Sequence, residues 1–78
     1  MNRRLTKICK YLGFVLKHHP ESIDLELDSE RWASVDTLIK NANSNGKSIT
    51  LKQVQDVVEL DEQKMFVFSE DGLRIRAS

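Results

Sequence analysis

Residues 65–77, MFVFSEDGLRIRA, decide the fold class of this 78-residue chain. Residues 65–68 have the aromatic and β-branched composition of a strand. Residues 69–72, SEDG, have turn chemistry. Residues 73–77 then alternate apolar Leu73, Ile75 and Ala77 with basic Arg74 and Arg76. Alternation of this kind indicates a second strand, so the stretch predicts a β-hairpin.

Three amphipathic helices are predicted before the hairpin. Residues 50–53, TLKQ, fit a capping box that opens the third helix. Ser34 is a suitable N-cap for the second helix, which ends at residues 43–46, NSNG. The first helix stops before Pro20, because the residue before proline avoids the α region. The positions predicted to face inward are Leu5, Ile8, Cys9, Leu12, Val15 and Leu16 in the first helix, Leu38, Ile39 and Ala42 in the second, and Leu51, Val54, Val57 and Val58 in the third.

The segment between the first two helices alternates apolar and acidic side chains over residues 23–28, which predicts a short extended stretch. The complete order is three helices followed by a hairpin. This order predicts the α+β class and a winged-helix-like architecture, with the hairpin as the wing. We expect one such domain over residues 1–78.

The composition excludes several classes of protein. The chain has a mass of 9.0 kDa, with 40% hydrophobic and 31% charged residues, which is typical of one globular domain. A single cysteine excludes a disulfide framework and a cysteine-rich zinc site. No apolar run approaches the roughly 20 residues of a membrane span. We therefore expect a cytoplasmic protein that binds neither a membrane nor a metal ion.

The charged residues are arranged in blocks of opposite sign. The formal net charge is zero, which by itself argues against a nucleic-acid partner. Residues 1–20 nevertheless carry +5, residues 21–30 carry −5, residues 31–55 carry +3, residues 56–71 carry −5 and residues 72–78 carry +2. Such blocks can give a dipolar surface, so the net value is a poor guide to partners.

The first helix has a basic face. Its members recur at spacings of four and three and lie within roughly 80° of one another, opposite the apolar side. They are Arg3, Lys7, Lys10, Phe14 and Lys17. Four cations with an interleaved aromatic ring suit a phosphate backbone and a stacked base. A merely solvated face is the alternative, and the pattern alone leaves both open.

The second strand of the hairpin places Arg74 and Arg76 on one face. These arginines could form a second cationic patch, or they could protect an exposed sheet edge. The third helix exposes carboxylates, which argues against insertion into a DNA major groove.

The run CKYLGFVLKHHP, residues 9–20, resembles the S-K-x-L-S-x-x-L-R-H-x-P motif of the RNA 2′-phosphotransferase family. Residues 23–33 are similar to that family's I-x-L-x-L-D-x-x-G-W stretch. Residues 57–77 resemble its V-V…K-x-R-F-x-x-x-x-D-G…I-R-A pattern. The matches follow one another over nearly the whole chain.

The resemblance implies a two-lobed enzyme, of which this chain matches the N-terminal, winged-helix lobe that helps to hold RNA. The other lobe is ADP-ribosyltransferase-like and binds NAD, so NAD is implied only for a two-lobe protein. Members transfer an internal 2′-phosphate of spliced tRNA to NAD. The family's catalytic Arg-His pair falls on Lys17 and His18, and a further family arginine falls on Met65. The glycine before the tryptophan is Arg31.

The family match and the basic face predict a lobe that associates with RNA, and the departures predict that the isolated chain is not catalytic. The predicted RNA-contacting residues are Arg3, Lys7, Lys10, Phe14, Lys17, His18, Arg74 and Arg76. One alternative is that the chain is part of a full phosphotransferase with a C-terminal ADP-ribosyltransferase-like lobe. A second alternative is a protein-interaction module whose acidic blocks meet a basic partner.

Overall fold

The structure, a computed structural model that describes residues 2–77, combines helices with one small antiparallel sheet. Positions 1 and 78 of the predicted domain lie outside the described residues. The elements are α1 (Arg3–Gly13), a π-helical turn (Phe14–His18), a 3₁₀ turn (Pro20–Ile23), β1 (Ala33–Ser34), α2 (Val35–Ser44), α3 (Leu51–Leu60), β2 (Phe66–Phe68) and β3 (Arg74–Ala77). The predicted α+β class is confirmed, and the winged-helix assignment stays a prediction.

Local hydrogen bonds at the helix ends follow the sequence. Ser34 Oγ accepts from the Thr37 amide at 3.3 Å and caps α2. Thr50 Oγ1 accepts from the Gln53 amide at 3.2 Å, and Gln53 Oε1 accepts from the Thr50 amide at 3.0 Å. These two bonds are the predicted capping box of α3. Gly46 follows α2 with a φ of +87°, a conformation that glycine adopts without steric penalty.

The sheet has the strand order β1-β3-β2, with both pairs antiparallel. The predicted hairpin pairs β2 with β3, and Phe68 lies opposite Ile75. The short strand β1 was not predicted; it pairs Ala33 with Ile75 on the other side of β3. β3 is therefore the central strand, and Ile75 is fully buried.

The extended stretch predicted at residues 23–28 is corrected by the structure. Ile23 ends the 3₁₀ turn, and Asp24 has a left-handed φ of +52° that interrupts any strand. The Leu25 amide bonds to the Pro20 carbonyl at 2.9 Å instead of to a neighbouring strand. The predicted alternation survives as burial, since Ile23 and Leu25 are buried and Asp24 is exposed. The alternation of apolar and acidic residues therefore corresponds to alternating burial along a loop.

The core joins the buried side of α1 to α2, α3 and the sheet. All six apolar positions predicted for the first helix are buried. One other inward prediction is wrong, because Leu51 is 48% exposed, and Leu73 of the predicted second strand is 67% exposed. Leu51 is the first residue of α3, and Leu73 belongs to the turn before β3, so neither has a packing layer above it. With Ile39 they line an apolar groove on the surface.

Candidate nucleic-acid interface

The exposed side of α1 carries Arg3, Lys7 and Lys10, and its opposite side is packed in the core. The helical period separates the two sets, as the spacing predicted. The first turn contains no acidic residue, and Arg3 adds positive charge where the helix N-terminus is itself positive. Such placement disfavours the helix, so helix stability does not explain the basic face.

The predicted cations of this face have no acidic partner within residues 2–77. The Arg3, Lys7, Lys10 and Lys17 side chains take part in none of the ion pairs of this part of the chain. Lys52 on α3 differs, since its Nζ lies 3.7 Å from the Asp56 carboxylate. Unpaired cations keep their attraction for an external anion.

A π-helical turn follows α1 directly. The His19 amide bonds to the Phe14 carbonyl at 2.9 Å, five residues back instead of four. A turn of this kind rotates less per residue than an α-helix, so the roughly 100° per residue used for the basic face fails beyond Phe14. The Phe14 ring is 44% exposed and lies 5.0 Å from the His19 ring, measured between centroids. The Phe14 amide still bonds to the Lys10 carbonyl, so Phe14 continues the line of the α1 cations, and only Lys17 leaves it.

The basic residues of this region border three different grooves. The first groove is lined by Arg4, Lys7, Tyr11 and Lys47, among others. The second includes Lys10, Asp61 and Glu62. The third is lined by Leu16, Lys17, Arg31 and Ala77. The first and third grooves are lined by cations and by no acidic residue, whereas the groove of Lys10 is also lined by two acidic side chains. The structure therefore brings Lys7 together with Arg4 and Lys47, and Lys17 together with Arg31.

Three of these cations were not predicted as site residues. Arg4 lies on α1, three residues before Lys7, whereas Arg31 and Lys47 enter the grooves from loops that are distant in sequence. Lys47 Nζ also lies 5.2 Å from the centroid of the Tyr11 ring. A charged residue in a loop carries no sequence signal for this placement.

The hairpin arginines contact the loop that precedes β1. Arg74 Nη1 donates to Asp28 Oδ2 at 3.4 Å, and the two groups form an ion pair. Arg76 Nη1 donates to the Glu30 carbonyl at 3.2 Å, and its guanidinium carbon lies 4.6 Å from the centroid of the Trp32 ring. The alternative of edge protection is wrong, because β3 is the central strand. RNA contact by Arg74 and Arg76 stays a prediction.

Two of the positions that correspond, by the family resemblance, to catalytic residues border different grooves in the structure. Lys17 and His18 are exposed on the π-helical turn. Met65 is half-buried just before β2, where its amide donates to Asp61 Oδ2 at 2.9 Å. Met65 lines the groove of Lys10, whereas Lys17 lines that of Arg31. A thioether carries no charge, so Met65 supplies no anion contact.

Asp61 is a buried acidic residue that the sequence reasoning missed. It is 5% exposed, and its carboxylate accepts from the Gln63 amide at 3.1 Å and the Met65 amide at 2.9 Å. These bonds order the connection from α3 to β2. An aspartate directly after a helix and before a polar turn is the signal that could have indicated this role.

Cys9 is buried beside this connection. Burial raises the pKa of its thiol, nearby Asp61 raises that pKa further, and Lys17 opposes the effect. A raised pKa keeps the thiol protonated at neutral pH, and a protonated thiol is a poor nucleophile. Cys9 therefore acts as a core residue.

Three kinds of feature are absent from residues 2–77. No helix there is long and apolar enough to cross a membrane. No group of three His, Cys, Asp or Glu side chains in that range is placed to hold a metal ion. Gly13 lies in α1, Gly46 follows α2 and Gly72 lies in the hairpin turn. These separate glycines do not form a loop of the type that cradles the pyrophosphate of a dinucleotide.

The fold and the candidate site define a small α+β domain with an unpaired cationic helix face. Comparison with known families then places it: the chain belongs to the RNA 2′-phosphotransferase, Tpt1/KptA family, whose model matches residues 3–78. The family resemblance of the sequence motifs is thereby confirmed.

Several curated relatives are similar to this chain. A probable RNA 2′-phosphotransferase of Rhodopirellula baltica is 46% identical over 77 residues, which are 99% of this chain and 42% of the relative. One of Pseudomonas syringae pv. tomato is 49% identical over 72 residues, covering 92% of this chain and 38% of the relative. The chain spans about two fifths of the length of these relatives.

Proposed function

We propose that this chain is an RNA-holding, winged-helix-like lobe of the phosphotransferase family and that it contacts RNA through phosphate groups. The observation that carries the proposal is the face of α1, where exposed cations have no acidic partner. Arg3, Lys7 and Lys10 are its first contacts, and Arg4 and Lys47 extend it across the neighbouring groove. The names of the relatives identify RNA as their substrate, which supports RNA as the polyanion.

The charges predict a specific dependence on salt. Binding of Lys and Arg to phosphates releases counterions, so the logarithm of the affinity falls linearly with the logarithm of the salt concentration. For single-stranded nucleic acid, each contact contributes a slope of about −0.7. Loss of two contacts should therefore reduce the slope by about 1.4.

The test measures fluorescence anisotropy of a short labelled single-stranded RNA between about 50 and 200 mM salt. K7E/K10E should lose at least about tenfold in affinity at the lower salt concentration and show the shallower slope. K40E/K52E is the matched control, since it makes the same charge change on α2 and α3, and it should bind nearly as the parent chain. No binding by the parent chain at low salt, or equal loss in both variants, would overturn the proposal.

The isolated chain has no phosphotransferase activity of its own in this proposal. By the family resemblance, Lys17 replaces a catalytic arginine and Met65 replaces a second one. Lysine keeps the charge of arginine but lacks its two-pronged hydrogen bonding to phosphate, and methionine has no charge. An assay of the chain with NAD and 2′-phosphorylated RNA should release no nicotinamide, and sustained turnover would contradict this assignment.

The second candidate function is that of a complete phosphotransferase of which this chain is the N-terminal part. The observation that favours it is the coverage of only about two fifths of each relative. In this case a C-terminal, ADP-ribosyltransferase-like lobe binds NAD, and the substrate is the 2′-phosphate of spliced tRNA in the cytoplasm. Translation of the reading frame beyond position 78, followed by the same assay on the longer protein, tests this candidate.

A further inference from the structure

Arg31 occupies a backbone conformation that favours glycine. Its φ is +71°, in the left-handed region that residues with a Cβ rarely adopt. A bulky residue persists in such a conformation only where its surroundings impose it, and this strain is concentrated at binding sites. The surroundings of Arg31 therefore impose its backbone conformation.

The loop that carries Arg31 is held from two sides. Asp28 Oδ1 accepts from the Glu30 amide and from the Trp32 amide, both at 2.9 Å. The Arg31 amide donates to the Asp28 carbonyl, also at 2.9 Å. From β3, Arg76 covers the Trp32 ring and bonds to the Glu30 carbonyl. These contacts fix the backbone on both sides of Arg31.

The same loop borders a cleft of about 350 Å³ that is lined by Leu16, Lys17, Arg31 and Ala77. Two of the four lining residues are cations and none is acidic. Within residues 2–77, neither the Lys17 nor the Arg31 side chain has a hydrogen-bond or ion-pair partner. Two like charges in one cleft repel each other, and a bound anion relieves that repulsion.

We propose that Arg31 and Lys17 together bind one phosphate group of RNA in this cleft. The assignment rests on the proposed function. Arg31 supplies the planar, two-pronged guanidinium that matches two phosphate oxygens, and Lys17 adds a compact point charge. Arg76 and Asp28 act as positioning residues, because they hold the loop and neither of them lines this cleft.

The test compares R31N, R31K and K40Q in the anisotropy assay with the short labelled RNA. Asparagine tolerates the left-handed conformation and removes the guanidinium with its charge, so R31N should remain folded, which a thermal melt checks. R31N should weaken binding by about tenfold, and R31K should restore part of the loss. K40Q removes the same charge from α2 and should change the affinity less than about twofold.

The outcomes separate this assignment from the proposed function. If the parent chain binds RNA and R31N binds equally well, only the role of Arg31 is overturned. If the parent chain does not bind RNA at low salt, both fall. If R31N loses affinity no more than K40Q does, Arg31 contributes general charge and not a phosphate site, which also overturns the assignment. An affinity for R31K equal to that of R31N would show that a positive charge at position 31 does not contribute to binding, which also overturns the assignment.

Discussion

The guanidinium of Arg76 lies over the ring of Trp32, 4.6 Å from its centroid, and joins the central strand to the loop before β1. Both residues are half-buried, so solvent screens the contact only in part. The same arginine also bonds to the Glu30 carbonyl. This pair therefore holds the loop in place.

We predict a measurable coupling between these two side chains. In a double-mutant cycle of R76A and W32A, the coupling free energy should be about 0.5–1 kcal/mol, because a cation over an aromatic face is attracted to its quadrupole. Urea denaturation followed by far-UV circular dichroism measures it. If the destabilisations caused by the two substitutions simply add, the two side chains do not interact in solution.

We predict that Asp28 makes the stability of the protein sensitive to acid. The Trp32 amide, with the Glu30 amide and Arg74, lowers the pKa of this carboxyl below its ordinary value of 3.8. A group with a lowered folded-state pKa stabilises the protein above its unfolded-state pKa, and the stabilisation is lost as the pH falls through the folded-state value. Urea unfolding between about pH 2 and 6 should show a flatter decline for D28N than for the parent chain.

Asp71 provides an independent comparison for that experiment. The Ser69 hydroxyl and then the Leu73 amide lower the pKa of its carboxyl, so D71N should also flatten the decline. The free energy of unfolding of the double variant should decline less with acid than that of either single variant. If the stability of D28N declines with acid as steeply as that of the parent chain, the hydrogen bonds of Asp28 to its loop do not form in solution.

We predict that R31G stabilises the chain. Arg31 has a φ of +71°, which costs an L-residue about 1–2 kcal/mol and costs glycine nothing. Part of the gain is offset by the greater freedom of glycine in the unfolded chain. A net gain of about 0.5 kcal/mol should raise the melting temperature by about 2–4 °C. A lower melting temperature would show that the Arg31 side chain stabilises the fold itself.

We predict that T50A destabilises the chain through the start of α3. The substitution removes the hydroxyl that accepts the Gln53 amide, and losing an N-cap of this kind costs about 1 kcal/mol. The melting temperature should fall by about 4–8 °C. T50S keeps the hydroxyl and is the matched control. Equal loss in both variants would indicate that the methyl group, and not the cap, matters.

The π-helical turn marks where sequence reasoning ceased to describe the candidate site. Helical spacing placed Lys17 on the same face as Lys7 and Phe14, and that arithmetic assumes an α-helix that is unbroken as far as Lys17. The bond from the His19 amide to the Phe14 carbonyl breaks the assumption. Residues 23–28 show a similar limit, since alternating burial is compatible with a strand and with an irregular loop.

The sequence by itself determined the helix caps, the hairpin and the separation of the basic and apolar faces of α1. The caps and the two faces depend on residues within about four positions of one another, and the hairpin depends on the turn that joins two neighbouring strands. Only the tertiary structure decided that Arg74 contacts Asp28, 46 positions away, and that Arg31 lies beside Lys17. The physical reason is that long-range contacts depend on how β3 packs between β1 and β2. No local pattern encodes the neighbours that a loop residue meets there.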